Sequence, residues 1–79
     1  MQIRYAAIIF QFDPTTDTDF VYTRQELISG SISEAYANQE LLVKHAEPGF
    51  NYRSYIQERQ YTGKLYRTEH IHNFVEIHQ

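Results

Sequence analysis

One stretch of this chain has the spacing of a helix, and the segments on either side of it have the spacing of strands. In "SGSISEAYANQELLVKHAEPG", Gly30 breaks what precedes, the Ser31 hydroxyl can accept from the first free amides, and Glu34 three residues later completes a reciprocal cap. Ile32, Ala35, Tyr36, Leu42, Val43 and Ala46 then recur at helical spacing, with Leu41 at the margin of the stripe. Lys44 and His45 fall in the last turn, where cations suit the helix dipole, and Pro48 and Gly49 stop the helix. The spacing predicts a helix over about 31 to 46 that buries Ile32, Ala35, Tyr36, Leu42 and Val43 against one face of a sheet.

The sheet is read from the remaining segments. "IRYAAIIF" is apolar on both alternating faces and rich in β-branched and aromatic residues, as an interior strand is, which places a central strand at about 2 to 12. "DPTTDTD" starts a turn, and "FVYTRQEL" alternates Phe20, Tyr22, Arg24 and Glu26 against Val21, Thr23, Gln25 and Leu27, the pattern of a second hairpin arm. Thr23 and Glu26 also fit a capping box, which would start a helix there instead. Beyond the helix, period two returns, and Thr62-Gly63 divides the segment into strands of about 50 to 61 and 64 to 78. The last strand is long, and a bend or bulge is expected near Asn73. The expected architecture is a single α+β domain over residues 1 to 79: a four-stranded antiparallel sheet with one helix on one face, in the order β-β-α-β-β.

A domain of 79 residues buries only about 60% of the surface its unfolded chain exposes, which leaves a thin core and little room for an enclosed catalytic cavity. The chain is therefore expected not to be an enzyme, and no cofactor is expected. With no cysteine, disulfides, thiolate zinc sites and thiol nucleophiles are all removed, which suits a reducing cytoplasm. "MQIRYAAIIFQF" runs into "DPTTD" without a cleavage site and reads as a strand, and no apolar stretch approaches the roughly 20 residues of a membrane span. A soluble cytoplasmic protein without membrane contact is expected.

The net charge of −3 gives no general attraction to nucleic acid, but it is unevenly spread. Between residues 13 and 47, Asp13, Asp17, Asp19, Glu26, Glu34, Glu40 and Glu47 outweigh Arg24 and Lys44. Between 53 and 67 the balance reverses, with Arg53, Arg59, Lys64 and Arg67 against Glu58. Seven tyrosines and five phenylalanines complete the bias, and tyrosine offers a rigid contact surface while half exposed.

Three of the four histidines stand in the last ten residues, in "TEHIHNFVEIHQ". On a regular strand Thr68, His70, His72, Phe74, Glu76 and His78 share one face, while Ile71, Val75 and Ile77 share the other. His70 and His72 have the spacing to aim two imidazoles at one metal, but His78 lies about 27 Å further along a straight strand, so no metal site is expected. The row Ile71, Val75 and Ile77 is what the core needs, so the histidine row is expected to face away from the helix.

Other constellations are weaker. "DPTTDTD" alternates acids as calcium loops do, but it lacks the central glycine and has Arg24 where the bidentate glutamate belongs. A helix-turn-helix reading of "TRQELISGSISEAYANQELLVK" would place Glu34 and Glu40 on the recognition helix, opposite phosphates. "NYRSYIQERQYTGKLYR" interleaves tyrosines and cations as a base-stacking surface does, or as an ordinary exposed hairpin does.

In general build, an acidic cysteine-free chain with an aromatic-rich sheet and one capped helix starting at "SGSISEAY", the sequence resembles the small inhibitors encoded by bacteriophages and mobile elements, including anti-CRISPR proteins. The resemblance spans the whole chain and carries no motif. It implies action by binding, masking a nucleic-acid-handling complex or an enzyme, and it assigns no residue a role. The expected function is thus that of a protein-binding inhibitor or adaptor, with homodimer formation as one option. The expected contact residues are Tyr52, Arg53, Tyr55, Tyr66, Arg67 and Phe74, and the expected acidic surface is Asp13, Asp17, Asp19, Glu34 and Glu40. A nucleic-acid-binding domain using the 50–67 hairpin is the first alternative and a histidine metal site at His70 and His72 the second.

Overall fold

The computed structural model describes residues 2–13, 15, 18–19 and 24–78. The elements run β1 (Gln2–Asp13), β2 (Thr18–Asp19), β3 (Gln25–Ser29), α1 (Ile32–Lys44), β4 (Tyr52–Thr62) and β5 (Leu65–Ile77). β1 is central, antiparallel to β3 on one side and to β4 on the other. β5 pairs antiparallel with β4, and the two-residue β2 pairs with the end of β1. The four-stranded antiparallel sheet with a single helix, in the expected order, is the fold observed. Of the expected second arm, residues 20–23 lie outside the described residues. Glu26, the residue that would have belonged to a helical capping box, lies in β3.

The helix starts where the sequence places it. The Ser31 hydroxyl accepts from the Glu34 amide at 3.2 Å, and the helix ends at His45, whose Nδ1 donates to the Leu41 carbonyl at 2.9 Å. Gly49 then takes a φ of +90°, and Gly63 a φ of +66° in the two-residue turn between β4 and β5, both values that glycine adopts without steric cost. α1 packs on β1, β3 and β4 and makes no comparable contact with β5. Its core contributes Ala35 and Leu42 to a cluster with Ala7, Ile9, Tyr52 and Ile56, flanked by Tyr5, Ile32, Val43, Ala46 and Ile77.

One expectation about the helix face needs correction. Tyr36 is exposed, and the buried position on that side belongs to Gln39. The cause is the helix's offset from β5, which leaves Tyr36 beyond the covered part of the sheet. Gln39 is tolerated in the core because its amide is fully engaged. Its Nε2 donates to Ser54 Oγ at 3.1 Å and to the Asn73 carbonyl at 3.0 Å, while its Oε1 accepts from Asn73 Nδ2 at 2.6 Å.

Those bonds fix the irregularity expected near Asn73. Asn73 has a φ of +51°, a left-handed conformation that asparagine adopts more readily than most residues. The β4–β5 register slips there, from Ser54 opposite Val75 to Ile56 opposite His72, and slips again at Glu69, between Glu58 opposite His70 and Arg59 opposite Thr68. One inserted residue moves every later side chain to the other face. The expected histidine row is therefore broken. His70 and His72 lie on the helix side with Val75 and Ile77, whereas Ile71 lies on the opposite face with Phe74, Glu76 and His78.

Candidate interaction face

The sheet face opposite the helix is built from alternate residues of each strand: Ala6, Ile8, Phe10 and Phe12 of β1, Glu26 and Ile28 of β3, Arg53, Tyr55, Gln57, Arg59 and Tyr61 of β4, and Tyr66, Ile71, Phe74 and Glu76 of β5. Although no helix among the described residues covers it, Ala6 and Ile8 are fully buried. Side chains of the face itself provide the cover. Tyr55 packs on the Ala6, Ile8 and Phe10 cluster, with its ring edge-on to Phe10 at 5.9 Å. Arg59 crosses β1 from β4 to reach Glu26 on β3, and the small side chain of Ala6 leaves room beneath it.

Arg59 is 1% exposed, the most deeply buried charge among the described residues. Its Nη2 and Nη1 donate to Glu26 at 2.9 and 3.4 Å, its Nε donates to Gln57 Oε1 at 2.9 Å, and its guanidinium lies 4.2 Å from the centre of the Tyr66 ring. Burial opposes its charge, but the hydrogen bonds it donates to Glu26 and Tyr61 outweigh that cost and raise its pKa above the ordinary arginine value. The Arg59 hydrogen bond in turn holds the Glu26 carboxyl below its usual pKa, with desolvation acting in the opposite sense and the Arg24 charge assisting.

A second set of contacts lies toward the other end. Arg53 stacks over Phe12 at 4.1 Å and donates to Glu76 at 3.3 Å, and His78 donates to Glu76 at 3.0 Å while meeting the Phe12 ring edge-on at 5.9 Å. Between the two sets, Tyr55 and Phe74 stack with an interplanar angle of 11°. Ile28 on β3 stays 45% exposed, and the large side chains left open on β5 form a ridge. Tyr66 is 47% exposed, Ile71 51% and Phe74 56%, all on this one face.

Of the six expected contact residues, the face brings together Arg53, Tyr55, Tyr66 and Phe74. Tyr52 does not belong to it. It is buried on the helix side, where its hydroxyl accepts from the Glu47 amide at 3.0 Å and from Gln11 Nε2 at 3.4 Å. Arg67 also lies on the helix side of β5, donating to Glu69 at 2.7 Å and to Gln60 at 3.3 Å. Ile71 and Arg59 are the members that sequence reasoning missed. Ile71 was hidden by the parity change at Asn73, and no local signal separates Arg59 from its neighbouring cations.

The expected acidic surface is dispersed. Glu34 and Glu40 are exposed on the helix layer, away from the ridge, and Asp13 accepts from the Thr15 amide at 2.9 Å at the end of β1. Asp17 lies outside the described residues, and for Asp19 the description covers the backbone only. His70 and His72 have ring centres 6.2 Å apart, and the Nε2 of His72 lies 2.9 Å from a Glu58 oxygen. Among the described residues no three His, Asp or Glu side chains are grouped so as to hold a metal ion, and no helix is long and apolar enough to cross a membrane. Comparison with protein-family models, with curated proteins and with solved structures gives no match.

Proposed function

We propose that this chain is a non-enzymatic protein-binding module, an inhibitor or adaptor that masks a partner's functional surface with the sheet face opposite its helix. The observation that supports this reading is the ridge of Tyr66, Ile71 and Phe74, three large side chains each about half exposed in a row on one face. Burying the exposed half of an aromatic ring of about 200 Å² contributes roughly 2 to 3 kcal/mol, so a few such rings can anchor a complex. The rings are pre-set by the stacking of Phe74 on Tyr55 and by the tilted contact of Tyr66 with Tyr61, their centres 5.2 Å apart, which reduces the ordering cost of docking. The net charge of −3 favours encounter with basic partners, such as the basic nucleic-acid-binding grooves that anti-CRISPR-type inhibitors occlude.

Direct nucleic-acid binding by the same face is the competing reading, since Arg24, Arg53 and Arg59 lie among its rings. Each of those guanidinium groups already bonds a carboxylate of the face, Glu26 or Glu76, at 2.9 to 3.4 Å, so engaging phosphates would mean giving those bonds up. The test is a pull-down from an extract of the source cells, with and without nuclease and at two salt concentrations. Recovery of one defined protein that survives nuclease is the expected result. Recovery of RNA or DNA alone, lost steeply with salt, would overturn the proposal.

A further inference from the structure

β5 is an edge strand of thirteen residues, and among the described residues nothing pairs with its outer edge. Such an edge is a template for another strand, and proteins usually protect it with lysine, proline or a bulge. β5 contains no lysine and no proline, and its two bulges, at Glu69 and at Asn73, are its visible protection. Their positions are unusual. The strand runs from Leu65 to Ile77, so its midpoint is Ile71, and the two bulges stand two residues to either side of that midpoint.

The consequence is a face pattern that reads the same in both directions. Leu65, Arg67, His70, His72, Val75 and Ile77 lie on the helix side, and Tyr66, Thr68, Ile71, Phe74 and Glu76 lie on the open side. When a second β5 is laid antiparallel with Ile71 opposite Ile71, Leu65 meets Ile77, Tyr66 meets Glu76, Arg67 meets Val75, Thr68 meets Phe74 and His70 meets His72. Every pair lies on one face, and the bulge at Glu69 opposes the bulge at Asn73. A shift by one or two residues in either direction puts helix-side residues opposite open-side residues near the centre. A regular strand from another protein would need the same two register shifts that β4 makes with β5, whereas a second copy of this strand needs none.

We infer that two copies of this chain associate through β5, antiparallel about a two-fold axis at Ile71, to form one continuous sheet. The pairing is isologous, as closed dimers are. It brings large apolar side chains that the fold leaves open on this strand, Leu65 at 78% exposure, Ile71 and Phe74, beside those of the second copy, and it sets no two carboxylates and no two guanidinium groups opposite each other. A strip about 43 Å long and about 10 Å high gives roughly 900 Å² over both copies, the weak end of specific interfaces, so association falls in the micromolar range. The inference concerns the strand's edge and does not depend on what the open face binds. It does imply that the two ridges join into one surface.

The absence of cysteine allows a direct test. In this register two Ile71 Cα atoms lie about 4.5 to 5.5 Å apart, within disulfide reach, whereas two Thr68 Cα atoms lie about 20 Å apart. Under mild oxidation Ile71→Cys should form a covalent dimer and Thr68→Cys alone should not, while a mixture of Thr68→Cys and Phe74→Cys should cross-link to each other. Sedimentation equilibrium across the micromolar range should show a dimer that Ile71→Lys weakens at least tenfold, with an unchanged circular dichroism spectrum. A wild-type chain that stays monomeric throughout that range would overturn the inference. So would a dimer in which Thr68→Cys cross-links as readily as Ile71→Cys.

Discussion

The ion pair that roofs Ala6 should respond very unequally to losing one partner or the other. The Arg59 side chain is 2% exposed and the Glu26 side chain 35% exposed. Glu26→Ala leaves a guanidinium buried without its carboxylate. Removing one partner of a fully buried pair costs about 3 to 5 kcal/mol, but here Gln57 Oε1, the Tyr61 hydroxyl and the Tyr66 ring remain in contact, so about 2 to 4 kcal/mol is expected. Arg59→Met keeps most of the stem over Ala6 and leaves behind a carboxylate that water already reaches, at a cost of about 1 kcal/mol. The double variant should then resemble Arg59→Met alone, because the stranded charge is gone. Urea unfolding followed by circular dichroism measures all four proteins. Against a total stability of about 5 kcal/mol for so small a domain, the difference is large. Equal costs for the two single variants, or a greater cost for Arg59→Met, would refute the assignment of Arg59 as the buried member that needs its partner.

Three further outcomes follow from the packing and the charges. Leu42→Ala should lose about 2 to 5 kcal/mol by the same urea assay, since Leu42 joins α1 to the Ile9, Tyr52 and Ile56 cluster. Gln39→Ala should lose about 2 to 3 kcal/mol by stranding polar groups at Ser54 and Asn73, and hydrogen exchange should quicken around residues 72 to 75 more than at the helix ends. The carboxyl of Glu26 has a folded-state pKa below its ordinary value of 4.5. Its contribution to stability is therefore present above the unfolded value and lost as pH falls through the folded value. A pH series of melting temperatures should show the gap between the wild type and Glu26→Gln closing as pH drops below about 4, by a modest amount because water reaches the carboxylate.

The helix and strand boundaries were legible because their signals are local. Ser31 with Glu34, Pro48-Gly49 and Thr62-Gly63 each act within a few residues, and the structure places the element ends within two or three residues of them. The side-chain faces of β5 were legible only up to the first irregularity. Asn73 marked the place, but whether a bulge inserts one residue depends on Gln39 reaching it from the helix, a contact across 34 positions of sequence. Glu69 gave no signal at all. His70 and His72 on one side and Ile71 on the other were therefore assigned to each other's faces. Tyr36 and Gln39 were exchanged for a related reason, since a helical stripe shows which residues are apolar and not how far across the sheet the helix lies. Tyr52 and Tyr55 looked equivalent by type, and the register with β1, Gln11 opposite Tyr52 and Ile8 opposite Tyr55, is what sends one inward and the other to the open face.

The central claim, that the face opposite the helix is the contact surface, is tested most directly by comparing two charge insertions at similarly exposed positions. Phe74→Asp alters the ridge, and Leu41→Asp alters the outer side of the helix, where Leu41 is 49% exposed. Both variants should keep the wild-type circular dichroism spectrum. In a quantitative pull-down the nuclease-resistant protein partner should be lost at least tenfold with Phe74→Asp and retained with Leu41→Asp, whereas retention by Phe74→Asp together with loss by Leu41→Asp would place the contact on the helix and contradict the account.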